Sequence, residues 1–371
     1  MKIAVYALYF LFLLAFTFFS YLFIDPNLIY LKNLYTGIAF SNRLIVTLIY
    51  FFAVLVFFGF YFIFINYFKK KIFVRKDFVI ILIMTVTGLI FSYPAILSYD
   101  IFNYIATSKV AFFYHENPYI LMPIQFVGDP LLLFTHAANK IALYAPFWIL
   151  LTSIPFFVGF GNFILTLFSL KILNVVFYLL TILLLYRISK NIYSVAIFAF
   201  NPLVIIETII SSHNDIVMMC LALFAIILVQ KKKYLIASLF LLFSILIKYS
   251  TIFLIPVFIY MIYSKVKEKG LSMEKTYLLP TISMVIIFLL SPLREEMYPW
   301  YATWFLTFSC LLRSKFVFIA TSTLSLGLLL RYLPYMYLGS YAFPTPLLRI
   351  IFTVMPVVIG SSYYWYKIKK V

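Results

Sequence analysis

Apolar stretches of membrane-crossing length recur along the whole chain, separated by short polar spacers. Residues 3–24 run without a charge, and 44–66 do the same. A bilayer crossing as a helix takes about 20 apolar residues. Further runs lie near 78–97, 191–210, 213–230, 234–248, 250–264, 276–292, 300–313, 315–332 and 346–366. Segment 147–186 holds one more crossing, with a re-entrant piece at 147–160. Several runs are short, which suits tilted, broken or partly buried helices. The pattern predicts an all-α fold, a polytopic membrane bundle of about 12 helices. A secretory leader accounts for a single N-terminal run, and its apolar core is usually about 7–15 residues, shorter than 3–24.

The longest polar interruption is 98–146. Its pieces 100–113 and 129–142 read as amphipathic helices lying on the membrane surface. No repeat and no low-complexity linker divides the chain, so 1–371 is read as one transmembrane domain carrying 98–146 as its first outer loop.

Composition sharpens this. The chain is 65% hydrophobic and only 11% charged, whereas a soluble domain is about 25% charged. The net charge of +18 would otherwise suggest nucleic acid, but the cations sit in the spacers, as in cytoplasmic loops. The clusters are Lys69-Lys70-Lys71 with Arg75 and Lys76, then Lys231-Lys232-Lys233, then Lys265, Lys267 and Lys269, and finally Lys367, Lys369 and Lys370. Placing all of them inside puts both termini in the cytoplasm of a multi-pass plasma-membrane protein. Asp77, Glu268 and Glu274 then fall inside, while Asp25, Asp100, Glu116, Asp129, Glu207, Asp215, Glu295 and Glu296 fall on the outer half. Acids contribute little to orientation, so their segregation marks the outer face as the place for chemistry. Cys220 and Cys310 both lie within apolar runs, which indicates neither a disulfide framework nor a zinc cluster.

Four constellations reach that face. In SYDIFNYIATSKVAFFYHENPY (98–119), Asp100 meets the outer boundary and Tyr104 shares its face one helical turn later. A carboxylate there is either a functional group or the cap of a helix starting at 101. In NPLVIIETIISSHNDIVMM (201–219), His213 and Asp215 fall at an outer junction, with Glu207 inside the preceding run. They orient a substrate, shuttle a proton or bind metal, or else satisfy a tight helical hairpin. Lys248 breaks an apolar stretch, as a snorkelling side chain or as a cation for phosphate. SPLREEMYPWYATW (291–304) brings Arg294, Glu295 and Glu296 beside Tyr298, Trp300, Tyr301 and Trp304. The aromatics form an interfacial belt or stack on a sugar.

These parts suit sugar transfer from a lipid carrier. Inverting transfer needs a carboxylate to take a proton from the acceptor hydroxyl, and Asp100 supplies one. It also needs cations or strong donors where charge develops on the departing phosphate, for which Lys248, Arg294 and His213 are candidates. With no glycine-rich phosphate loop, a donor already in the membrane fits better than a nucleotide sugar.

The four stretches, taken in order over roughly 85–305, resemble the GT-C superfamily of glycosyltransferases. The closest branch is the polyprenyl-phosphate-mannose-dependent alpha-mannosyltransferases. The matching positions are Asp100, Tyr104 and Asn117-Pro118-Tyr119 in the first outer loop. They continue with Asn201-Pro202-Leu203, His213-Asn214-Asp215, Lys248-Tyr249 and Pro299-Trp300-Tyr301. Tyr144-Ala145-Pro146 departs by one residue from the Tyr-Pro-Pro step such loops end in. The resemblance implies a GT-C-like bundle with an outer cavity and Asp100 as general base. It places Tyr104, Asn117, Tyr119, His213, Asp215, Lys248, Arg294, Trp300 and Tyr301 at the substrates. The implied partners are a polyprenyl-phosphate hexose, often mannose, and a lipid-linked or cell-surface glycan acceptor, with membrane lipids around and no nucleic acid. Many GT-C enzymes carry two adjacent acids in this loop. Asp100 has no acidic neighbour, so a base acting without metal or cofactor is expected. A surface-polysaccharide polymerase or ligase would share the cavity and lipid-linked donor. A transporter would instead keep charges near the midplane and show internal repeats.

Overall fold

The computed structural model describes residues 2–268, 270 and 272–369, and no strand occurs among them. Lys269 and Lys370, two of the cations used to orient the chain, lie outside the described residues. The first part consists of α1 (Lys2–Ser20), the one-turn α2 (Ile38–Ser41), α3 (Arg43–Lys69) and α4 (Arg75–Leu89). The polar stretch carries α5 (Asp100–Phe112), followed by α6 (Pro146–Val158) and α7 (Phe163–Ser189). The middle holds α8 (Ile192–Ala199), the one-turn α9 (Pro202–Ile205), α10 (Asp215–Gln230), α11 (Tyr234–Ile245) and α12 (Ile255–Val266). The chain closes with α13 (Met273–Leu290), α14 (Ala302–Ser309), α15 (Lys315–Leu330), α16 (Leu333–Leu338) and α17 (Thr345–Lys369).

Seven segments of the described chain are long and apolar enough to cross a membrane, and a bent pair, Ile192–Ala199 with Pro202–Ile210, makes an eighth. The protein is a polytopic helical membrane protein. Helices α6, α10 and α11 are apolar but only 10–17 residues long, which separates the full-length helices from the dozen crossings read in the sequence. Helices α10 and α14 explain part of that difference. Almost every residue of α10 and every residue of α14 is buried, so their hydrophobicity faces protein rather than lipid. The outward surfaces of α1, α3 and α17 instead expose Leu8, Leu11, Phe18, Phe52, Ile350 and Val354.

Polar side chains inside the bundle are satisfied locally. Thr85, Thr181, Thr307 and Thr353 each donate to the carbonyl four residues earlier, which spares a hydroxyl the cost of an unpaired burial. Helices α15 and α17 pack along each other and touch closely at Gly327.

Two expectations for the first loop are corrected. Helix α5 does not lie on a surface, because residues 101–108 and Val110 are buried. The rest of the loop covers it: Asn103 accepts from the Ala137 amide at 3.2 Å, and Lys109 pairs with Asp129 at 2.9 Å. Tyr114 donates to Asp129 at 2.9 Å and stacks on Phe126. Segment 129–142 forms no full helix; it holds a single 3-10 turn, Pro130–Leu133, with Asp129 accepting from the Leu131 amide. Once Asp129 is held by Lys109 and Tyr114, the loop is fixed by tertiary bonds and needs no helix to satisfy its polar groups.

Candidate active site

The site starts from a broken helix. Pro202 offers no N–H, and the Asn201 side chain accepts from the Leu203 amide at 3.0 Å. The chain therefore restarts a helix at this point, and the two pieces meet at a bend of 57°. The restarted piece loosens into a π-turn over Ile206–Ile210, a geometry frequent at functional sites. Ser212 then takes a left-handed backbone, φ 61°, unfavourable for a residue with a side chain. Asn174 of α7 holds it there, donating to the Ser212 carbonyl at 3.1 Å and hydroxyl at 2.9 Å. The result is a buried run, 211–214, that turns His213 back toward Glu207, whose carbonyl accepts from the His213 amide at 2.9 Å.

Around His213 three elements converge. Its Nδ1 lies 3.4 Å from an Asp100 oxygen at the start of α5, and its Nε2 lies 3.3 Å from Glu207. These are ion-pair contacts, since neither ring nitrogen is in hydrogen-bond geometry. Burial disfavours a charged imidazole, yet the flanking Asp100 and Glu207 outweigh it and raise its pKa to about 9. The other Glu207 oxygen accepts from Tyr332 at 3.0 Å. The Trp300 ring stacks on the imidazole with centroids 3.9 Å apart, and Tyr298 stacks on Trp300 at 4.5 Å. Of the carboxylates here, Asp100 is 28% exposed, while Glu207 and Asp215 are each 1% exposed. Of these three, Asp100 alone can meet a substrate without rearrangement.

The second centre is Asp215, the first residue of α10. Lys248 donates to its two oxygens at 3.1 and 3.3 Å, and the Trp304 indole donates to one of them at 2.5 Å. The Lys248 ammonium also sits 4.4 Å from the centroid of Tyr301, whose hydroxyl donates to Glu295 at 2.8 Å. Tyr301 stacks on Trp304 at 4.2 Å. Such a cation over desolvated rings contributes about 1–2 kcal/mol. Tyr104 links the two centres: its hydroxyl accepts from the Asn214 amide at 3.4 Å, and its ring packs edge-on against Tyr144 and Trp148.

The structure thus gathers Asp100, Tyr104, His213, Asp215, Lys248, Trp300 and Tyr301 into one region. Helix α5 begins at Asp100 with Tyr99 in the N-cap position, so Asp100 stands in the first turn and is not the cap. Trp300 and Tyr301 are buried and form no interfacial belt. Lys248 is not a lone snorkelling cation, because Asp215 holds it. Arg294 stays apart: its side chain is 81% exposed and pairs only with Glu295, at 3.6 Å. Asn117 and Tyr119 serve the loop. Asn117 accepts from the Tyr119 amide at 2.9 Å, and the Tyr119 hydroxyl donates to the Tyr144 carbonyl at 2.7 Å. They fasten the loop beside Tyr104 without entering the cluster.

Several residues here carried no role in the sequence reading. Arg331 and Arg349 converge on Glu296 at 3.6 and 2.6 Å, a double cation where Arg294 was expected. Lys171 of α7 is fully buried and bonds the Ser92 carbonyl and hydroxyl. A signal existed for each, since an ionisable residue inside an apolar run is costly and marks a partner. Among the described residues no group of three or more His, Cys, Asp and Glu side chains is arranged to hold a metal ion.

The family description "Alpha-(1->6)-mannopyranosyltransferase, N-terminal domain" matches residues 27–264. That span covers α2 to α11 and most of α12, both ends of the Asp100–His213–Glu207 chain, and the Asp215–Lys248 pair. No match was found among curated proteins or among solved structures. With more than half of its length matched, the chain belongs to the alpha-(1->6)-mannopyranosyltransferase family and is a membrane-embedded glycosyltransferase of the alpha-mannosyltransferase kind.

Proposed function

We propose that the protein moves a hexose, mannose, from a polyprenyl-phosphate donor to a lipid-linked or cell-surface glycan acceptor. Transfer occurs on the extracytoplasmic side of the plasma membrane, with both chain termini in the cytoplasm, and inverts the anomeric centre. The observation that carries this reading is the exposure of Asp100, 28% open at its side chain and 3.4 Å from a buried imidazole. Asp100 takes the proton of the acceptor hydroxyl as that oxygen bonds to the anomeric carbon. The bond from that carbon to the phosphate oxygen breaks, and its electron pair leaves with the polyprenyl phosphate.

The imidazole of His213 lies against Asp100 from the buried side and leaves its exposed side for the acceptor proton. Lys248 uses two of its hydrogens on Asp215 and keeps the third for the departing phosphate, where charge grows. Trp300 and Tyr301, whose faces are taken by His213, Tyr298, Trp304 and Lys248, shape the wall of the sugar site. Single-sign clusters of cations on the loops away from this site support the orientation.

The test is transfer by purified protein in nanodiscs, given short-chain polyprenyl-phosphate mannose and mixed cell-envelope lipids. Wild type transfers the sugar, and Asp100→Asn, of equal size, loses about 100-fold or more in kcat. Equal transfer by both removes Asp100 from the mechanism. Transfer from a nucleotide sugar instead of the lipid phosphate overturns the donor.

A further inference from the structure

A second cavity lies at the other end of the bundle from Asp100. It is an open pocket of about 430 Å3, lined by Phe68, Lys69, Lys71, Phe73, Arg75 and Tyr193, among others. Its separation from the active site follows from helix lengths. Phe163, at the start of α7, packs on Phe102 beside Asp100, and the 27 residues of α7 carry the chain about 40 Å before it turns into α8 at the cavity.

Three features of this cavity point to one ligand chemistry. Its lining holds three cations and no acid. None of Lys69, Lys71 and Arg75 stands in an ion pair among the described residues. The nearest carboxylate along the chain, Asp77, is already occupied by Lys2 at 3.1 Å, by Tyr6 at 2.5 Å and by the Val74 amide at 2.6 Å. The walls between the cations are aromatic and aliphatic. Phe68 and Phe73 are buried, and Phe62 and Ile63 of α3 expose an apolar face to lipid immediately before the cavity. A cationic pocket where a lipid-facing helix ends is built for a group that arrives along that helix.

We propose that this cavity binds the phosphate headgroup of an anionic phospholipid, with Lys69, Lys71 and Arg75 on the phosphate. The glycerol backbone lies against Phe68 and Phe73, and the acyl chains run along α3. Clustered basic residues at a helix end attract anionic headgroups, and a pocket of several hundred Å3 suffices for a headgroup. The proposal is independent of which sugar or donor the active site uses.

Native mass spectrometry of the full chain in detergent, titrated with phosphatidylglycerol or phosphatidylcholine, tests it. Wild type retains phosphatidylglycerol in preference to phosphatidylcholine, and the triple variant Lys69→Gln, Lys71→Gln, Arg75→Gln loses about tenfold or more of that preference. A second triple variant, Lys231→Gln, Lys232→Gln, Lys233→Gln, removes equal charge from a loop outside the cavity and keeps the preference. If both variants lose it equally, the attraction is diffuse surface charge and the site is overturned. If the first variant keeps it, the site is overturned directly. Competition by soluble glycerol 3-phosphate as strong as that by the lipid would assign the cavity to a free phosphate ester and overturn the lipid. All three positions are exposed, so their substitution leaves the fold intact, which an unchanged thermal unfolding curve verifies.

Discussion

The Nδ1 atom of His213 stands 3.4 Å from the carboxylate of Asp100, and these two residues come from elements more than a hundred positions apart in the chain. Asp100 faces outward from the first turn of α5, while His213 is sealed below it by Trp300. The imidazole stands between Glu207, held by Tyr332 deep in the bundle, and the more exposed Asp100. The two carboxylates flanking the imidazole favour its charged form, so the cluster is coupled through His213.

Glu207→Gln tests that coupling from the buried side. The amide keeps the volume and can still accept from Tyr332, but it removes the charge that helps hold His213 protonated. We expect kcat for sugar transfer to fall about tenfold or more, with little change in donor KM, because the substituted group does not meet substrate. The alkaline limb of the rate profile should also move to lower pH. Tyr332→Phe should have a smaller effect. An unchanged pH profile in Glu207→Gln would show that the core side does not tune the imidazole.

Stability should carry the same signature. The pKa of His213 is raised from 6.5 to about 9, so the folded protein holds the proton more tightly than the unfolded chain. Its contribution is therefore complete below pH 6.5 and is lost as the pH rises through about 9. The thermal midpoint of wild type should decline across that window. In His213→Gln, which has no proton to lose there, the decline should be shallower. Parallel curves for the two proteins would exclude linkage through this residue.

The sequence pattern reveals the helical membrane fold, and the ordered motifs reveal most of the cluster, because each depends on local chemistry. Asn201-Pro202 breaks a helix wherever it occurs, and a charge inside an apolar run needs a partner. What the pattern conceals is the identity of that partner. Lys248 and Asp215 each looked available to substrate until folding set them 3.1 Å apart. Arg294 had the right neighbours along the chain, yet Arg331 and Arg349 reach the adjoining Glu296 from helices that follow it. Helix α5 reads as amphipathic because its polar positions are spaced for one wet face. That face is covered by its own loop through Asn103, Lys109 and Asp129, contacts that no periodicity encodes.

Lys248 and Asp215 should behave unequally when separated. Lys248→Met leaves the Asp215 carboxylate 1% exposed with only the Trp304 indole for company. A buried charge stripped of its partner costs about 3–5 kcal/mol. Asp215→Asn leaves an ammonium that is 24% exposed and free to turn toward water, so its cost should be smaller. The double variant Lys248→Met, Asp215→Leu should recover much of the stability lost by Lys248→Met alone, and still transfer no sugar. Unfolding in a single detergent, read as a double-mutant cycle, decides this. Additive losses would mean the pair is not coupled.

Helix packing gives a contrast between two glycines. At Gly327 of α15, an added Cβ would lie 2.3 Å from the Thr353 carbonyl oxygen of α17. Backbone cannot step aside as a flexible side chain can, so Gly327→Ala must push the two helices apart. Overpacking of this kind costs about 1–3 kcal/mol. At Gly59 of α3, nothing lies within 4 Å of the added atom. Alanine there replaces a poor helix former with the best one and should stabilise by up to about 1 kcal/mol. The thermal midpoint should fall for Gly327→Ala and hold or rise for Gly59→Ala in the same detergent. If Gly327→Ala left the midpoint unchanged, α15 and α17 would not be in backbone contact, and the packing that brings Arg331 and Arg349 together on Glu296 would have to be redrawn.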